Sequence, residues 1–93
     1  MYQKEGCFNT KTAKTGVYLG NYSSNSFSMV EQCAQVARRQ DFTEFALFEG
    51  GLCKGGHDLQ EEYNDQGASL GPCKNHVGGK DFVVLYSLKQ TGT

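Results

Sequence analysis

Residues 28–54, SMVEQCAQVARRQDFTEFALFEGGLCK, decide how the rest of the chain folds. Ser28 followed by Glu31 has the form of a capping box, hydroxyl and carboxylate each answering an orphan backbone amide. Met29, Val30, Cys33, Ala34 and Ala37 then recur at helical spacing, which predicts one stripe facing a core. Glu31, Gln35, Arg38 and Arg39 fall on the other side, where they are solvated. Asp41 breaks the pattern, and Phe42 to Phe48 is too aromatic for another helical turn and reads as a strand. Glu49-Gly50-Gly51 turns the chain back into Leu52-Cys53. A helix lying across a hairpin, tied at Cys33 and Cys53, follows from this stretch alone.

Upstream, Phe27 precedes the expected cap and reads as a hydrophobic staple. Gly6-Cys7-Phe8 opens the first ordered segment, residues 9–16 form a polar loop, and Val17-Tyr18-Leu19 is a short strand closed by Gly20 and Asn21. Downstream, residues 54–58 are a loop, Leu59 to Tyr63 supply one helical turn, and Asn64-Asp65-Gln66-Gly67 is turn chemistry. Phe82 to Leu88, FVVLYSL, is apolar on both alternating faces and belongs inside a sheet. Element order therefore predicts an α+β fold, a small antiparallel β-sheet with one α-helix packed across it. The whole chain, 1–93, is one module with an ordered core of about residues 6–88.

The four cysteines, Cys7, Cys33, Cys53 and Cys73, include no closely spaced pair. Zinc knuckles and thioredoxin-type redox motifs both need such pairs, so two structural disulfides are the expectation. Disulfides imply an oxidising, extracytoplasmic setting, hence a secreted protein. If Cys33 pairs Cys53, Cys7 is left with Cys73; the other two pairings stay open on sequence grounds. Loop closure assigns roughly 3 and 4 kcal/mol to the favoured bridges. Net charge is −1 and the nine Lys and Arg are scattered, which leaves no surface for nucleic acid. No apolar run approaches membrane-spanning length, so no membrane insertion is expected.

Gly6-Cys7-Phe8, Met29-Val30-Glu31-Gln32-Cys33, the stretch from Phe45 to Cys53, and Gly78-Gly79 before a closing strand that contains Tyr86 together resemble the WSC-type extracellular module. The helix-plus-sheet plan is also similar to the PAN/apple group. A WSC module usually carries eight cysteines, so this chain resembles a four-cysteine variant. The resemblance implies a secreted or cell-surface module that binds carbohydrate or protein.

Sugar sites need a planar apolar face and a few fixed polar groups. Tyr63 with Asn64 and Asp65 offers that combination in one loop, and His76 with Lys80 and Asp81 offers a second set. The plainer alternatives are a core tyrosine and a satisfied surface imidazole. Asp58, Glu61 and Asp65 lie in the segment densest in oxygen ligands, where calcium could be held, against the plainer reading of a solvated polar loop. No serine stands in a nucleophile elbow and the chain is short for a substrate cleft, so an enzyme is not expected. The sequence therefore predicts a lectin-like module with glycan partners, the alternative being a structural or adhesion module that contacts proteins through an exposed sheet face. One sugar site is weak, which makes a homo-oligomer a reasonable means to avidity.

Overall fold

A computed structural model describes residues 2–9, 15–22, 26–67, 71, 78–79 and 81–88. In chain order the elements are strand β1 (Tyr2–Asn9), strand β2 (Val17–Asn21), helix α1 (Ser26–Arg39), strand β3 (Glu44–Leu47), strand β4 (Leu52–Gly56), helix α2 (Leu59–Asp65) and strand β5 (Phe82–Leu88). The five strands form one sheet in the order β1-β5-β3-β4-β2, every described pairing antiparallel. The α+β expectation holds, with two α-helices among the described residues rather than one.

Helix α1 begins at Ser26, two residues ahead of the expected cap, so Ser28 lies inside its first turn. A helix of this length is held mainly by its apolar face, and that face is as read: Val30, Cys33, Ala34 and Ala37 are buried against the sheet. They meet Cys7, Phe45, Leu47, Cys53, Val84 and Tyr86 from β1, β3, β4 and β5. Phe45 and Tyr86 stack at 4.9 Å between adjacent strands, and Tyr2 meets both rings edge-on. The Tyr2 hydroxyl donates to Glu31 on α1 over 3.0 Å. Tyr2 pairs with Leu88, so the ordered sheet starts before residue 6.

The predicted strand from Phe42 to Phe48 shortens to β3. Phe42 instead carries the chain out of α1, its amide donating to the Ala37 carbonyl. A one-turn 3₁₀ segment, Glu49–Gly51, joins β3 to β4. Gly51 has φ of 88° and a Cβ there would lie 2.4 Å from the Tyr22 carbonyl oxygen, so both backbone and space require glycine. Strand β5 sits between β1 and β3, and Val83, Val84 and Leu85 are fully buried across both faces.

Cys33 and Cys53 form a disulfide, with Cα atoms 5.7 Å apart, fastening α1 to β4. Cys7 is also in the disulfide form, whereas Cys73 lies outside the described residues. Just ahead of Cys73, Gly71 exchanges both backbone hydrogen bonds with Cys7 and so lengthens the β1 edge.

The opposite face of the sheet is covered as well. Phe8, Ala46, Phe48, Val83 and Leu85 pack with Leu59 and Tyr63 of α2. The Leu59–Tyr63 segment is thus two helical turns serving a second core layer, and the sheet is sandwiched between α1 and α2. No helix among the described residues is long and apolar enough to cross a membrane.

Candidate functional site

The residues proposed from sequence separate into a buried one, three exposed ones and two outside the described residues. Tyr63 is 0% exposed. Its ring meets Phe8 edge-on at 5.1 Å and its hydroxyl donates to the Thr15 carbonyl over 2.6 Å. Burial pushes that hydroxyl's pKa well above the usual tyrosine range. A ring held in this way offers no face to a sugar, so Tyr63 is a core residue. Asn64 and Asp65 are exposed on the last turn of α2, and Asp81 is exposed just before β5. His76 and Lys80 lie outside the described residues.

The acidic residues singled out for calcium are strung along α2. Asp58 stands at its N-terminal boundary, Glu61 in the first turn and Asp65 at the end. Seven residues of helix separate Asp58 from Asp65 by about 10 Å, too far for one ion at oxygen-ligand distances. Among the described residues no three His, Cys, Asp or Glu side chains converge in the manner of a metal site. Glu44, reaching from β3, instead accepts a hydrogen bond from the Leu59 amide over 2.5 Å at the start of α2. Burial raises the Glu44 pKa, partly offset by the amides of Leu59 and Gln60, with Asp58 and Glu5 adding smaller upward pushes. His57 lies against Phe42 at 5.4 Å, and its Nδ1 is 3.4 Å from the Thr43 hydroxyl. These contacts order the β4–α2 junction.

Among the described residues, the most exposed large apolar side chains are on β2, where Val17 is 54% and Tyr18 is 63% exposed. Pairing fixes their faces, since directly opposed residues share one side of a sheet. Tyr18 pairs with Lys54, and Lys54 with Ala46 of the α2-side core, so Tyr18 projects on the α2 side. Val17 pairs with Gly55, and Gly55 with Phe45 of the α1-side core, so Val17 projects on the other. Lys54 places its ammonium 4.9 Å above the Phe48 ring, on Tyr18's side of the sheet. Gly16 keeps the approach to Lys54 open: a Cβ there would lie 2.8 Å from the Lys54 Cβ.

No family model, curated protein or solved structure matches this chain. The site is therefore defined by its geometry.

That geometry ties the end of α2 to the start of β2. The Tyr63 hydroxyl and the Gln66 side-chain amide both donate to Thr15, the carbonyl taking the first and the hydroxyl the second. Asn64 and Asp65 lie between Tyr63 and Gln66 in sequence and are exposed, on the helix that covers the α2 side of the sheet. Asp81 leads into β5, three strands across the sheet from β2, a separation of about 14 Å. Sequence reasoning missed Tyr18 by taking Val17-Tyr18-Leu19 only as a strand. The available signal was three consecutive apolar residues, neighbours among which must face opposite sides in a strand, on a short segment bounded by Gly16 and Gly20.

Proposed function

We propose that this chain is a secreted, non-catalytic, lectin-like module that binds glycans, a four-cysteine relative of the WSC-type modules with a second bridge between Cys7 and Cys73. The observation that carries the reading is the exposed ring of Tyr18 on the side of the sheet that also bears Lys54 and the end of α2. The C–H face of a pyranose packs on such a ring while nearby amides and charges fix its hydroxyls. Asn64 and Asp65 supply those polar groups, and Tyr18 takes the stacking role expected of Tyr63.

A glycan array, run with and without a chelator, tests this. Binding is expected, unaffected by chelation, and lost in Tyr18→Ala with the unfolding midpoint unchanged, since the side chain is mostly exposed. Silence across a broad array overturns the sugar reading. The competing reading, an adhesion module contacting a protein through the sheet edge, is favoured by Val17, exposed on the face opposite Tyr18. A sugar platform uses one face of β2, whereas a protein laid along the edge uses both. Under that reading Val17→Lys and Tyr18→Ala weaken partner binding equally; under the sugar reading only Tyr18→Ala matters for a single site.

A further inference from the structure

The two edges of the sheet are built differently. Strand β1 carries Lys4 and Glu5, bulges between Lys4 and Gly6, and is extended by Gly71 across Cys7. Charge and an added backbone partner are usual ways of blocking an edge, and among the described residues β2 has neither; the bulge is common to both strands. Strand β2, VYLGN, has no Asp, Glu, Lys, Arg or His, presents Val17 and Tyr18 to solvent, and has no strand on its outer side among the described residues. We infer that β2 pairs antiparallel with β2 of a second copy, joining two five-stranded sheets into one.

Three features favour a second copy. An uncharged strand set against itself brings no like charges opposite one another, a condition the edge meets although a fifth of the chain is charged. The two-fold axis of an antiparallel pair is perpendicular to the sheet, so each face continues across the seam. Both Val17 side chains then fall together on the α1 side, and both Tyr18 rings stand on the α2 side with their faces still open. The helices also fit. α1 lies across β2, β3 and β4 and is bonded to β4 through Cys33–Cys53. Three strand spacings therefore separate the two α1 axes, about 14 Å, which clears the 8–10 Å of close-packed helices. The bulge between Tyr18 and Gly20 limits the paired run to a few residues. An interface this short falls below the size of stable complexes, so the association is weak and governed by concentration.

Sedimentation equilibrium of the oxidised chain from about 10 µM to about 1 mM, a span over which such weak pairing is populated, tests the inference. The expected result is a rise from the 10.2 kDa monomer toward twice that mass, abolished by Val17→Lys with an unchanged circular dichroism spectrum. Amide exchange locates the contact. Once nine chains in ten are paired, exchange at outward-facing β2 amides slows about tenfold relative to dilute protein, while β1 amides do not change. A monomer throughout the range overturns the proposal. Self-association that survives Val17→Lys, or concentration-dependent protection on a strand other than β2, overturns it equally.

Discussion

Tyr63 and Glu44 show how one side chain's surroundings decide its role. Tyr63 has the composition of a sugar platform in sequence, an aromatic beside Asn64 and Asp65, yet it anchors α2 against Phe8 and Thr15. Tyr63→Ala should cost about 3–5 kcal/mol in urea unfolding through the cavity it leaves. Tyr63→Phe should cost about 1 kcal/mol by stranding the Thr15 carbonyl. An alanine variant as stable as the parent would place the ring outside the core. Glu44 supplies a pH signature. Its folded pKa is raised above the ordinary glutamate value of 4.5, chiefly by burial. The folded state then binds its proton more tightly than the unfolded chain does. The stability this contributes is fully present below pH 4.5 and is lost as the pH rises through the raised value. Urea midpoints measured on either side of that window should fall with rising pH in the parent, and the fall should shrink in Glu44→Gln. An identical slope in the two proteins would assign the effect to other groups.

Among the elements, those with strong periodicity were legible and those with sparse patterning were not. The α1 stripe, the β3–β4 hairpin and β5 could all be read because many apolar residues repeat at one spacing over each. Helix α2 offers only Leu59 and Tyr63, one turn apart, and two residues do not distinguish a surface turn from a helix covering a second face. The second layer was foreshadowed elsewhere: Val83, Val84 and Leu85 are consecutive apolar residues, and such a run demands cover on both sides. Of the candidate site, Asn64 and Asp65 were legible as exposed polar groups. Tyr18 was not, because exposure at an edge follows from strand order, which pairs β2 with β4 rather than with its sequence neighbour β1. The bridge between α1 and β4 has its own test. Replacing Cys33 and Cys53 together by alanine should cost roughly 3 kcal/mol, the closure term for a 20-residue loop. A loss under about 1 kcal/mol would mean that the apolar stripe alone seats the helix.

At the scale of the whole molecule, the ends of the chain make its most distant pairing. Tyr2 is opposite Leu88 and Asn9 opposite Phe82, so β1 and β5 join only after nearly the full length has been gathered in. Pairings of that sequence separation slow folding, because loop-closure entropy is lost before the contacts repay it. They also leave Val83, Val84 and Leu85 at an open edge until β1 arrives. The same adjacency allows the order of closure to be changed without altering the fold. A short flexible linker between the two ends, with the chain opened after Gly67, makes β5 and β1 a consecutive hairpin. Gly67 suits the opening, since it is exposed, follows the last turn of α2, and has nothing within 4 Å of its Cβ position. With Cys33–Cys53 intact, the permuted chain should keep the near-ultraviolet circular dichroism of the parent and fold several-fold faster in stopped-flow refolding. The gain should appear in the folding limb of the chevron, leaving the unfolding limb nearly unchanged. An unchanged folding rate in a correctly folded permutant would show that β1 docks after the barrier is crossed, and that α1, the hairpin and β5 form the nucleus without it.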